Sequence, residues 1–195
     1  TKKININTGS IVCRNIYFKY KNRNSYLFNN LNLVIKPREK IALIGNIGSG
    51  KSTITKLIMK LHRCNKGNII IDGQDITNIS SGSIRQQIGY VQQAPKLFNR
   101  TIYENITYGT PNVSKNSVIS LMKKLQIQGI FKNLPNGLDT IAGKNGTNLS
   151  GGQRQSVLIL RMLIGNKKIL ILDEPTSALD SYSKKYVIHL LKYAT

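Results

Sequence analysis

Gly45-Asn46-Ile47-Gly48-Ser49-Gly50-Lys51-Ser52 is the stretch whose reading decides the fold. It fits GxxxxGK[ST] and lies between a short apolar run, Ile41 to Ile44, and a helical pattern in which Ile54, Leu57, Ile58 and Leu61 share one face. Strand, glycine-rich turn and helix form the context in which this spacing makes a phosphate-binding loop. The glycines let the backbone wrap an anion, and the exposed amides with the positive helix end supply a preorganised site. Lys51 is expected to reach the β- and γ-phosphates of a nucleoside triphosphate and Ser52 to ligate Mg²⁺ through its hydroxyl. The candidate phosphate-binding residues are Gly45, Asn46, Gly48, Ser49, Gly50, Lys51, Ser52 and Thr53. A turn serving only tight strand-to-helix packing explains the glycines but does not require Lys-Ser after them.

The acids point the same way. The chain carries 8 of them against 29 Lys and Arg, a net charge of +21, and Asp173, Glu174 and Asp180 fall within one short stretch. Ile169 to Leu172 is an apolar strand that delivers Asp173 and Glu174 at its C-terminal edge, where open α/β sheets bind ligands. This looks like a Walker B motif. Asp173 is expected to hold the Mg²⁺ shell, and Glu174 to polarise the water that attacks the γ-phosphate. Without a phosphate loop, such a pair would equally read as solvated acids or a helix cap.

Bulk properties set limits on the whole. At 195 residues the chain suits one large domain. No window approaches the ~20 apolar residues of a membrane-spanning helix. Cys13 and Cys64 lack CxxC spacing and a neighbouring His, which argues against a metal site or disulfide framework and for a reducing compartment. The basic excess prompts nucleic acid or anionic lipid as a partner, but the lysines are spread along the chain beside abundant Asn and Ile, as a compositional bias would also leave them.

Alternation over Ile11 to Tyr20 and Leu31 to Ile35 predicts an antiparallel hairpin. Strands are expected at Asn68 to Ile71 and Ile88 to Val91, with a short helix over Ser83 to Gln87. Helical periodicity near Thr101 to Tyr108, Lys115 to Gln126 and Gly152 to Leu163 predicts a helical insertion, and Ser181 to Tyr193 a final helix. The fold class is α/β: a P-loop NTPase core with a mainly parallel sheet, an N-terminal antiparallel β subdomain and an inserted α-helical subdomain. The expected segments of this single domain, 1–195, are 1–92 for the β subdomain and P-loop core, 93–165 for the helical subdomain, and 166–195 for the Walker B strand and following helix.

Leu149-Ser150-Gly151-Gly152-Gln153, upstream of the Walker B strand, is the LSGGQ signature of the ABC superfamily. With it the chain resembles the nucleotide-binding domain of an ABC (ATP-binding cassette) transporter over essentially its whole length. Read alone, the pentapeptide is also an ordinary Ser N-cap on a glycine-tolerant helix start. The resemblance implies that Ser150, Gly151, Gly152 and Gln153 face the γ-phosphate of ATP held by a partner subunit. It further implies that Tyr20, in Phe18-Lys19-Tyr20, is the A-loop aromatic that stacks on adenine. Gln93, in Tyr90-Val91-Gln92-Gln93, resembles the Q-loop glutamine that links Mg²⁺ and attacking water to the helical subdomain. Ser177-Ala178-Leu179-Asp180 looks like the D-loop, which crosses the dimer interface.

Leu97 to Ile106 and Leu134 to Thr140 are similar to exporter-type domains fused to membrane helices. The implied function is binding and hydrolysis of MgATP to power transmembrane export, with Lys51, Gln93 and Glu174 catalytic and Ser52, Gln93 and Asp173 at the metal. The implied partners are a second nucleotide-binding domain, identical or different, and a transmembrane domain in the same or a partner chain. The implied location is the cytoplasmic or organelle-matrix face of a membrane. The alternative is a soluble ABC ATPase acting on nucleic acid or ribosomes, prompted by the charge. Lys144 stands where exporters usually carry an acid, and Ser156 where a second Arg is common. The family's switch histidine belongs after a further strand beyond Asp180, so the expectation is of one cassette cut short at its C-terminal end. His62 and His189 read as ordinary helix-end and structural residues.

Overall fold

The computed structural model describes residues 2–93, 96–177 and 179–193. The chain divides into two compact units, Thr1–Gly89 and Tyr90–Thr195.

In the first unit, β1 (Ile11–Phe18) pairs antiparallel with β2 (Phe28–Ile35) on one side and β3 (Lys66–Ile71) on the other, and β4 (Gln74–Asp75) completes the order β2-β1-β3-β4. The predicted hairpin is present. Its second strand starts earlier than alternation alone marks, because Phe28 pairs with Phe18. Ile11 and Cys13 face inward, then Ile16 and Phe18, and the change of phase is absorbed by a register shift between Cys13 and Ile16, with Asn15 at φ 50°. Such a bulge restores the inward face after two polar residues. Burial pushes the Cys13 thiol up to about 12, so it is an inert core group.

Two polar clamps close this unit. The Asp72 carboxylate accepts from the backbone N–H groups of Asn7, Thr8, Gly9 and Ser10 and from the hydroxyls of Thr8 and Ser10, which ties the N-terminal segment to the end of β3. Lys60 Nζ donates to the carbonyls of Ile76, Thr77 and Ile79 at 2.7, 2.7 and 2.6 Å.

Helix α1 (Lys51–Ile58) buries Thr53, Ile54, Leu57 and Ile58. Leu61, expected on the same face, lies beyond the helix and is 47% exposed, because α1 ends at Ile58 and Lys60 turns left-handed at φ 53°. The run Ile41 to Ile44 joins no ladder among the described residues, contrary to the predicted strand, and Ile44 is 93% exposed. A strand exists by its neighbour's hydrogen bonds, and an apolar run encodes no partner. Helix α2 (Ser81–Gln87), capped by Ser80, leads into β5 (Ile88–Val91).

In the second unit the end of β5 pairs with β6 (Ile169–Leu172) in a two-stranded parallel sheet, where the Asp173 N–H donates to the Val91 carbonyl at 2.9 Å. Helices α3 (Ile102–Thr107), α4 (Lys115–Lys124), α5 (Gly151–Ile164) and α6 (Ser181–Tyr193) surround a core that includes Ile102, Ile106, Val118, Ile159, Leu160 and Leu190. Capping boxes start α3, through Thr101 and Glu104, and α5, through Ser150 and Gln153. The predicted helical segments are all present: α3 and α4 are shorter than expected by two residues, α5 is longer by one residue at each end, and α6 has the expected bounds. Among the described residues no helix is long and apolar enough to cross a membrane.

Candidate functional site

The first unit carries the glycine-rich loop. Residues 45–49 are exposed and the Ser49 N–H donates to the Asn46 carbonyl at 3.2 Å. Lys51 folds back over the loop, its Nζ 2.8 Å from the Gly45 carbonyl and 3.0 Å from that of Asn46. The loop turns into α1 at Gly50, which has φ 97° and a position where any Cβ would lie 2.6 Å from Phe28 Cε1. Only glycine meets both conditions. An exposed loop of amides, an ammonium folded across it and an α1 N-terminus with no acid in its first turn form a cradle suited to an anion.

Tyr20 follows β1, and its hydroxyl lies 2.8 Å from Thr53 Oγ1, in the first turn of α1. Its ring makes T-shaped contacts with Phe18, centroids 5.0 Å apart, and with His62 at 5.5 Å. Thr53 is therefore bonded to the aromatic candidate, and His62, read from sequence as an ordinary helix-end residue, packs against it.

The second unit carries the carboxylates. Asp173 and Glu174 follow β6, and Gln93 follows β5. Gln93 Nε2 donates to Glu174 Oε2 at 2.7 Å, which joins two residues singled out from motifs 81 positions apart. Glu174 has φ 45°, a sparsely populated conformation for a residue with a side chain. It is held by a turn in which the Ser177 N–H and hydroxyl donate to its carbonyl at 3.2 and 3.1 Å, while Gln93 Nε2 also reaches Ser177 Oγ at 3.4 Å. The Tyr90 hydroxyl donates to Asp173 Oδ2 at 3.3 Å, and burial, then the adjacent carboxylate, push the tyrosine's pKa up. Sequence reading passed over Tyr90 and Ser177 as catalytic neighbours. Both stand inside stretches already quoted, Tyr90 to Gln93 and Ser177 to Asp180, which is the signal available for finding them.

The signature residues open α5. Ser150 accepts from the Gln153 N–H at 3.2 Å, and Gln153 Oε1 accepts from the Ser150 N–H at 2.9 Å. Gln153 Nε2 donates to the Ile130 carbonyl at 3.0 Å. A Cβ on Gly152 would lie 2.4 Å from the Cβ and Oγ of Ser183 in α6, so this glycine is where two helices touch. Asp180 accepts from the Ser183 N–H at 2.9 Å and caps α6. Of the expected D-loop, Ala178 lies outside the described residues. His189 contacts the Leu125 carbonyl at 2.9 Å inside the helical unit.

The ABC transporter family model matches residues 28–177. The chain is 38% identical over 195 residues to P-glycoprotein 14 of Caenorhabditis elegans, covering all of this chain and 15% of that protein. It is 42% identical over 180 residues to the ATP-dependent lipid A-core flippase of Methylobacillus flagellatus, covering 92% of this chain and 31% of that one. With the α-hemolysin translocation ATP-binding protein HlyB of Escherichia coli it shares 43% over 180 residues, covering 92% and 25%. A bacterial Atm1-family ABC exporter solved with ATP bound superposes with a TM-score of 0.88 at 35% identity, over 98% of this chain and 34% of the other. The chain thus spans between a seventh and a third of the length of these relatives, and they do not favour the nucleic-acid alternative. Loop, carboxylates, signature and matched family model agree: the chain belongs to the ABC transporter family.

Proposed function

We propose that this chain is the nucleotide-binding ATPase part of an exporter, which binds and hydrolyses MgATP to drive transport across a membrane. The observation that carries the proposal is the Gln93–Glu174 hydrogen bond at the end of β6, beside Asp173. It fixes the direction of a carboxylate that the backbone already holds in an unusual conformation. Glu174 is the general base that takes a proton from the attacking water, and Gln93 orients it. Lys51 and the loop amides neutralise the β- and γ-phosphates, and Tyr20 stacks on adenine.

The donor set fits Mg²⁺, a hard ion that takes oxygen ligands and keeps several waters. The Ser52 hydroxyl, the Asp173 carboxylate and the Gln93 side-chain oxygen would hold it. The bond from Gln93 to Glu174 uses the amide nitrogen, and the oxygen is the atom that suits the ion. When bound, Mg²⁺ supplies charge neutralisation at the phosphates.

In the same reading Ser150, Gly151, Gly152 and Gln153 face the nucleotide of a second such domain. The export machinery adds a transmembrane domain, and this part works on the cytoplasmic or matrix side. The three segments 1–92, 93–165 and 166–195 then correspond to nucleotide core, signature subdomain and Walker B region. The test is Glu174→Gln in the full-length protein. ATP binding persists and an ATP-bound dimer accumulates, while phosphate release falls by about 100-fold or more. A hydrolysis rate equal to wild type would remove Glu174 from the role of base.

A further inference from the structure

Tyr20 is held at three points. Its hydroxyl lies 2.8 Å from Thr53 Oγ1. Its ring meets Phe18 at 80° and His62 at 85°, and the His62 ring rests in turn against Phe18 with centroids 5.7 Å apart. Neither contact on Tyr20 is a parallel stack, the arrangement a nucleobase takes on a tyrosine. Thr53 is 6% exposed, and its backbone N–H donates to the Gly50 carbonyl at 2.9 Å. The P-loop pattern groups Thr53 with the phosphate ligands, yet its side chain points its oxygen at the aromatic ring's hydroxyl.

A surface tyrosine otherwise samples several rotamers and loses them when a base settles on it. Here the ring is fixed in advance to the first turn of the helix whose N-terminus receives the phosphates. We propose that Thr53 and His62 are positioning residues for Tyr20, a latch that sets the distance between the base-stacking ring and the phosphate loop before nucleotide arrives. The inference rests on the reading of Tyr20 as the adenine-stacking residue. Thr53 supplies the tether to α1 and His62 the wall that stops the ring from swinging away. The affinity contributed by the base then depends on residues that do not themselves stack on it.

The test is titration calorimetry of the full-length protein with two ligands, ATP and inorganic tripolyphosphate. Tripolyphosphate lacks the base, and its binding reports an intact P-loop in each variant. Tyr20→Phe and His62→Ala each weaken ATP about three- to tenfold, the worth of one hydrogen bond or ring contact, with tripolyphosphate affinity unchanged, and Thr53→Val lowers the ratio of ATP to tripolyphosphate affinity by a similar factor. The Tyr20→Phe/Thr53→Val pair lowers that ratio no further than either single change, because both remove the same bond. His62→Phe restores the ATP preference. Additive losses, parallel losses for both ligands, or no loss in Thr53→Val and His62→Ala overturn the latch. Tyr20→Ala tests the underlying reading by itself. An unchanged ratio of ATP to tripolyphosphate affinity in that variant removes Tyr20 from the base, whereas a lowered ratio with unaffected Thr53 and His62 variants overturns the latch alone.

Discussion

Gly152→Ala separates the packing role of the signature from its phosphate-facing role. A Cβ at this position would lie 2.4 Å from both the Cβ and the Oγ of Ser183, and 3.3 Å from its Cα. Ordinary carbon contacts begin near 3.4 Å, so α6 must retreat by roughly 1 Å, since the obstructing atoms sit at the root of a short side chain. The neighbourhood cannot yield cheaply, because Ser156 and Val157 of α5 and Val187 and Leu190 of α6 are fully buried. Overpacking of this kind costs about 1–3 kcal/mol, or about 2–12 °C in midpoint for a chain of this size. The assay is thermal unfolding of the single variant, of Ser183→Gly and of the pair. Ser183→Gly removes the two nearest atoms, so the pair recovers most of the loss despite the added glycine in the first turn of α6. Wild-type stability in Gly152→Ala, or a pair no better than the single change, would refute the close approach.

Asp72 governs acid stability. Partial burial raises its pKa, but the bonds from Thr8, Gly9 and Asn7 outweigh this and hold it well below the ordinary carboxylate value. A depressed folded pKa contributes stability that is complete above the unfolded value, near ~3.9, and lost as pH falls through the folded one. Asp72→Asn therefore flattens the fall in melting temperature below about pH 4, checked by acid-range unfolding curves. Lys60→Met leaves the carbonyls of Ile76, Thr77 and Ile79 without their cation and lowers stability by about 1–3 kcal/mol, read from denaturant midpoints. Gly50→Ala forces a side chain into φ 97° and onto the Phe28 ring, and it abolishes tripolyphosphate binding in the calorimeter.

What was legible in the sequence was local. Ile169 to Leu172 and Ser181 to Tyr193 match their predicted bounds, because a fully apolar strand and a periodic helix carry their own signals. The loop and the carboxylates were read from motif spacing, and Gln93 from the family resemblance. What sequence withheld is whatever depends on a second element. Ile41 to Ile44 reads as a strand by composition, but ladder pairing is decided elsewhere in the chain. Gly152 reads as a phosphate-facing glycine until Ser183, 31 positions on, shows why no side chain fits. His62 is ordinary in a helix pattern and becomes informative only beside Tyr20 and Phe18.

The candidate ligand-facing groups already hold partners within the protein, and the hydrogen-bonding capacity of each decides whether that competes with ligand binding. Ser150 caps α5 by accepting a bond, so its hydroxyl proton can still be donated to a phosphate oxygen. Lys51 has three donors and directs two of them at the loop carbonyls. The Gln93 amide reaches Glu174 and Ser177 through its nitrogen, and its oxygen is a separate acceptor. The internal bonds therefore orient these groups without exhausting them. Preorganisation of this kind lowers the reorganisation cost of binding and of the charge that develops on the phosphate. Glu174 follows the same rule: Gln93 engages only its Oε2, and a carboxylate has two oxygens with about four acceptor sites, so the bond orients the group and leaves capacity to take the proton of the proposed attacking water.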